Sequence, residues 1–80
     1  MNEDVLRILD SIKHNLSNND EESGVSIEVD LEDLLVNYIL DGDDLMIKRI
    51  QELHRIIGAM DKSEFSKKFD ALYENIKYLG

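Results

Sequence analysis

The sequence predicts an all-α fold, a small bundle of three to four helices in a single helical domain spanning residues 1–80. Eighty residues are enough for one domain only. Along most of the chain, apolar residues recur every three or four positions, which is the period of one face of a helix. No proline interrupts these segments.

The apolar spacing predicts helices over residues 4–16, 31–40, 45–60 and 63–79, with an acidic loop over residues 17–24. Each helix should turn one apolar stripe toward the core. The four stripes are Val5, Leu9, Ile12 and Leu16; Leu31, Leu34, Leu35, Tyr38 and Ile39; Met46, Ile50, Leu53, Ile57 and Met60; and Phe65, Phe69, Leu72, Ile76 and Leu79. The 4-3-4-3 spacing shared by the last two favours antiparallel packing at a shallow angle.

The second helix differs from the others because it is apolar almost all round. Asp30 is a suitable N-cap for a helix that begins at Leu31. Val36 and Leu40 point away from the main stripe. This helix is therefore either buried at the centre of the bundle or has a second contact to make.

Residues 25–29, VSIEV, alternate apolar and polar side chains and include β-branched residues, which indicates a short extended or β segment. The sequence contains no second convincing strand to pair with it, and a lone strand leaves backbone groups unsatisfied. Three arrangements would resolve this. We expect first an extended segment packed on the helices, second a pairing with another copy of the chain, and third a strand added to a partner's sheet.

The sequence offers no basis for catalysis or for a bound cofactor or metal. It has no cysteine, and its two histidines stand apart at positions 14 and 54. The turn from Asp41 to Asp44 resembles a calcium loop only superficially, because an EF-hand needs a ligand and a glycine where Leu45 and Met46 stand. No catalytic signature motif is present. We therefore expect a protein that is not an enzyme.

We also expect a cytoplasmic protein. The N-terminal residues lack the basic and apolar regions of a signal peptide. No apolar run approaches the roughly 20 residues that span a membrane.

Negative charge is concentrated in the first half of the chain. Residues 1–44 contain 13 acids and 2 bases, a balance of −11, whereas residues 45–80 contain 5 acids and 7 bases, a balance of +2. Residues 20–44 alone hold ten carboxylates and no lysine or arginine. Such a surface disfavours direct contact with nucleic acid or an anionic membrane and favours a basic protein partner.

The candidate partner-binding residues lie in this acidic stretch. The carboxylates can substitute for phosphates against lysine or arginine, and two apolar residues can anchor the contact. The carboxylates are Glu28, Asp30, Glu32, Asp33, Asp41, Asp43 and Asp44, and the apolar anchors are Val36 and Leu40. A solvated face that only keeps the protein soluble is the alternative, but such faces usually include compensating bases.

In size, acidity and helix content the chain is similar to nuclease-inhibiting bacteriocin immunity proteins and to phage-encoded inhibitors that mimic the charge of DNA. The paired tyrosines and the proline of the immunity family have no counterpart, since Tyr38 stands alone and proline is absent. The leading hypothesis is an inhibitor that occupies the basic surface of a nucleic-acid-binding protein or nuclease, such as a phage-encoded anti-CRISPR. The alternatives are a small regulatory homodimer or adaptor, associating through residues 25–29 or helix 31–40, and an antitoxin or immunity protein.

Overall fold

The computed structural model describes residues 3–18 and 21–79 and contains four helices in that part of the chain. They are α1 (Glu3–Leu16), α2 (Glu21–Asp41), α3 (Asp44–Gly58) and α4 (Lys62–Leu79). No strand occurs in the described ranges, so the predicted all-α bundle is confirmed with four helices. The bounds of α1, α3 and α4 lie within two residues of those expected from the apolar spacing.

The prediction of an extended segment at residues 25–29 is wrong, because this segment is the second and third turn of α2. Ile27 is fully buried and continues the inward stripe of Leu31 and Leu34 at helical spacing. Burial of this stripe outweighs the β-propensity of the valines, which is weak and context-dependent. The helix also satisfies its backbone groups internally, which a lone strand could not do.

The predicted acidic loop over residues 17–24 is shorter in the structure. Residues 21–24 already belong to α2, while Asn19 and Asp20 lie outside the described residues. Ser23 is buried near the start of α2, and its hydroxyl donates to the carbonyl of Asn18 at 3.4 Å. This contact ties the beginning of α2 to the turn that follows α1.

The four helices form a closed square. Consecutive helices pack side by side, and the contact between α4 and α1 closes the ring. In the described part of the chain, α2 packs closely on α1 and α3, while α4 packs on α3 and α1, so α2 and α4 lie diagonally opposite. The molecule is 32 Å long, close to the roughly 31 Å expected for the 21 residues of α2. α2 therefore spans the whole length of the bundle. None of the described helices is both long and apolar enough to cross a membrane.

The core lies inside this square and is apolar. Phe65 and Phe69 are completely buried and stack with their ring centroids 5.8 Å apart. The other core residues come from all four helices: Val5, Leu9, Ile12, Ile27, Leu31, Leu34, Met46, Ile50, Leu53, Ile56, Ile57, Leu72 and Ile76.

The turn between α2 and α3 consists of two residues that serve both helices. The backbone N–H of Gly42 donates to Ile39 and that of Asp43 donates to Tyr38, the paired bonds of a Schellman motif. Gly42 has a φ of +72°, which glycine adopts without strain. The carboxylate of Asp43 then accepts from the N–H of Met46 at 3.2 Å and caps α3.

The turn between α3 and α4 repeats this arrangement without a glycine. The N–H of Met60 donates to Ile57, and that of Asp61 donates to Ile56. Met60 takes the left-handed position with a φ of 63°, and its side chain is largely exposed. Since a side chain is strained there, this turn is a local weak point of the fold.

Candidate acidic and apolar interface on helix α2

Helix α2 has a buried face and an exposed face that are both apolar. The buried face contains Ile27, Leu31 and Leu34, none of which has exposed area. The opposite face points away from the bundle and exposes five large apolar side chains. They are Val25 (62% exposed), Val29 (52%), Val36 (55%), Ile39 (54%) and Leu40 (81%). We call these five residues, together with the neighbouring Glu32 and Asp33, the outer face of α2.

The exposure of Ile39 corrects its predicted position on the inward stripe. At 100° per residue, Ile39 lies about 120° around the helix from Ile27, which is between Leu34 and Leu31 on the buried face. It therefore points outward with Val36. Both Val36 and Leu40 lie on the exposed side, where the sequence pattern placed them.

The outer face carries its two carboxylates at mid-length. The Glu32 side chain is 66% exposed, and its Oε1 lies 3.6 Å from Nε2 of His54 on α3. Asp33 is exposed, and its backbone carbonyl accepts a hydrogen bond from the Asn37 side chain at 2.9 Å. No lysine or arginine forms an ion pair with either carboxylate among the residues that the structure describes.

Glu28 and Asp30 lie on the flanks of α2 rather than on its outer face. The hydroxyl of Ser11 on α1 donates to Asp30 Oδ2 at 2.7 Å, so this carboxylate connects two helices. Asp30 is inside the helix and is not its N-cap, because α2 begins nine residues earlier. Glu28 is half-buried on the other flank, next to Gly58 on α3. Its Oε1 lies 3.8 Å from the point where a Cβ would stand if residue 58 had a side chain.

Asp41, Asp43 and Asp44 form a separate acidic group around the α2–α3 turn. All three are exposed, and Asp43 already serves as the N-cap of α3. Burial raises the pKa of the nearby Tyr38 hydroxyl, and the negative charges of Asp43 and Asp41 raise it further. The predicted site is thus divided into an outer pair, two flanking carboxylates and a terminal group.

Sequence reasoning missed Val25, Val29 and Ile39 as exposed members of this face. The alternating pattern of residues 25–29 predicts an extended segment, and this prediction hides the helical relation of the two valines to Val36 and Leu40. A usable signal was present, because Ile27 lies four residues before Leu31 and extends the buried stripe backward.

Several positively charged side chains make contacts elsewhere in the bundle. Lys68 on α4 donates to Glu52 on α3 and lies 3.7 Å from Glu64. Lys13 lies 4.9 Å from the centre of the Tyr73 ring. These contacts leave the negative charge of α2 uncompensated by lysine or arginine in the described part of the chain.

An open groove lies between α3 and α4. It has a volume of about 220 Å³ and is lined in part by Arg49, Leu53 and Asn75. This is smaller than the roughly 300–1,000 Å³ of typical ligand pockets. Its lysine, Lys68, is already held by Glu52. The outer face of α2 is the stronger candidate for an interaction site.

No protein-family model, curated protein or solved structure matches this chain.

Proposed function

We propose that this chain is a small acidic binding protein that inhibits a nucleic-acid-binding protein or nuclease by occupying its basic surface. The observation that carries the proposal is the outer face of α2, where exposed apolar side chains accompany carboxylates that no lysine or arginine compensates in the described part of the chain. Helix α2 contains seven acidic residues and no basic one.

The charge of α2 supports a partner that normally binds phosphates. Side chains three or four positions apart on a helix have Cβ atoms about 5–6 Å from each other, a spacing that lysine and arginine side chains can span. A basic groove that accepts a phosphate backbone can accept the carboxylates of α2 for the same electrostatic reason. Occupation by α2 would exclude nucleic acid from that groove.

The apolar residues support a lasting contact rather than attraction alone. Exposed ion pairs contribute roughly 0–1 kcal/mol each, so charge by itself holds a partner weakly. Apolar burial contributes about 25 cal/mol per Å², and Val36 and Leu40 have most of their area available for it. The valines also lose little side-chain freedom on binding, because β-branched residues have one preferred rotamer in a helix.

A regulatory homodimer is the second candidate, and the apolar character of the outer face favours it. Two copies cannot associate by pairing strands at residues 25–29, since these residues are helical. Association through α2 would bring Glu32 and Asp33 of both copies together without compensating bases, which weakens this alternative.

The proposal is tested by affinity capture with the full chain as bait, using extract of its native cell or host. We expect the captured protein to bind nucleic acid, to be released as salt is raised and to be displaced by excess DNA or RNA. The inhibitor should also block nucleic-acid binding by the purified partner. The Glu32→Lys/Asp33→Lys variant should capture at least tenfold less of it.

A matched control is the Glu3→Lys/Asp10→Lys variant, which makes the same change in charge at two exposed positions on α1. This variant should retain most of the captured partner. The proposal fails if the α2 variant binds as well as the wild type, or if the partner does not bind nucleic acid.

A further inference from the structure

Six of the seven residues of the outer face of α2 are arranged symmetrically about its centre; the seventh, Ile39, has Ser26 at the matching position. Val25 and Val29 form one apolar patch, and Val36 and Leu40 form another, with Glu32 and Asp33 between them. At 100° per residue, these six side chains fall within about a third of the helix circumference. They also form two rows at i+4 spacing, Val25–Val29–Asp33 and Glu32–Val36–Leu40, which are the ridges that helices use to pack together.

We infer that the outer face of α2 binds one amphipathic helix of a basic partner, with lysine or arginine at the middle of that helix and apolar residues on both sides. The basic nature of the partner rests on the function proposed above. Val25 and Leu40 are 15 residues apart, so the bound helix would run for about 22 Å, or four turns. Helices of this basic kind are what many proteins insert into nucleic-acid grooves.

The register of the face shows why a second copy of the chain is not the occupant. In an antiparallel pair about a two-fold axis, Val25 would oppose Leu40, and Val29 would oppose Val36. In this register, two residues face each other when their numbers add up to 65. Glu32 of one copy therefore faces Asp33 of the other. The apolar patches are thus self-complementary, whereas four carboxylates would meet at the axis. Like charges opposite each other destabilise such a contact.

The central carboxylates therefore act as the specificity-determining pair. They repel a second acidic copy and attract a helix that has bases in the same position. The ideal occupant is in effect α2 itself with its two central charges reversed. This equivalence supplies a defined probe, the full chain carrying Glu32→Lys and Asp33→Lys.

The test is a mixing experiment by sedimentation velocity and light scattering at low salt. Wild type and the charge-reversed double variant should each be monomeric alone, because like charges meet at the axis in both. An equimolar mixture should form a heterodimer of twice the 9.3 kDa chain mass. Adding Val36→Asp to both chains should abolish the heterodimer, since Val36 of each chain opposes Val29 of the other and both halves of the interface then lose an apolar contact.

Two controls keep the result interpretable. The Glu3→Lys/Asp10→Lys variant, with the same net charge as the probe, should not form a heterodimer with wild type. The single Glu32→Lys variant should dimerise with itself, because the introduced lysine of one copy would oppose the carboxylate of Asp33 in the other. Circular dichroism establishes that each variant remains helical.

Three results would overturn the inference: a mixture that stays monomeric, a wild-type chain that dimerises by itself through α2, or a heterodimer that Val36→Asp leaves intact. The experiment contains no nucleic-acid-binding protein, so it is independent of the proposed function. A heterodimer together with failed capture of such a protein would retain the helix-binding face and reject the inhibitor role.

Discussion

Substitutions at three alternate positions test whether residues 25–29 form a helix with separate inner and outer sides. Ile27 has no exposed area, so Ile27→Ala should lower the free energy of unfolding by about 2–5 kcal/mol, and Ile27→Val by about 0.5–1.5 kcal/mol. Val25 and Val29 are more than half exposed and contribute little burial. Since alanine has the higher helix propensity by up to about 0.7 kcal/mol, Val25→Ala and Val29→Ala should be neutral or slightly stabilising.

The assay is urea unfolding followed by far-ultraviolet circular dichroism, with the midpoint and the slope compared for each variant. The Ile27 variants should lower the midpoint, whereas the valine variants should leave it unchanged or raise it slightly. In an extended segment, residues 25, 27 and 29 share one face. Similar losses from all three alanine substitutions would therefore refute the helical assignment and the outer face built on it.

Three further predictions concern the turns, the α1–α2 contact and pH. Gly42→Ala should lower the free energy of unfolding by about 1 kcal/mol, because alanine is strained at a positive φ. Met60→Gly should raise it by about 0.5 kcal/mol, because relief of left-handed strain exceeds the entropy that glycine adds to the unfolded chain. Thermal melts in which both substitutions shift the melting temperature in the same direction would contradict this. Ser11→Ala should lower the free energy of unfolding by about 1–2 kcal/mol, because it removes the hydrogen bond to Asp30 on α2. The shift in the urea midpoint measures this loss. The hydrogen bond and charge of Lys68 lower the pKa of Glu52 below its ordinary 4.5, so this contact stabilises fully above pH 4.5 and is lost as pH falls through the lower folded value. Glu52→Gln should flatten the acid limb of an unfolding titration, and an unchanged limb would argue against the contact.

The helices α1, α3 and α4 were predictable because each carries a single apolar stripe at regular helical spacing. α2 was only half predictable, since its first turns contain apolar residues that serve opposite sides. The alternation of Val25, Ile27 and Val29 satisfies the period of a strand, and only the fold decides that Ile27 points inward and the valines outward. Here tertiary packing overrides the local preference of residues 25–29 for a strand, as it commonly does for short β-branched segments.

The candidate site was predictable in its charge and not in its geometry. The absence of bases around Glu32 and Asp33 is visible in the sequence. Their separation from Asp30, which bonds to Ser11 on α1, depends on which helices are neighbours. No feature of the sequence alone indicates which carboxylates of an acidic stretch are already engaged by the rest of the chain.

The diagonal placement of α2 and α4 gives the molecule a permanent dipole. α2 contains seven acids and no base, whereas α4 contains four lysines and three acids. Near a basic surface, this dipole would experience a torque that turns α2 toward that surface and α4 toward solvent before any atoms touch. Charge changes on α4 would therefore alter the rate of association and leave the rate of dissociation almost unchanged, although α4 lies on the far side of the bundle.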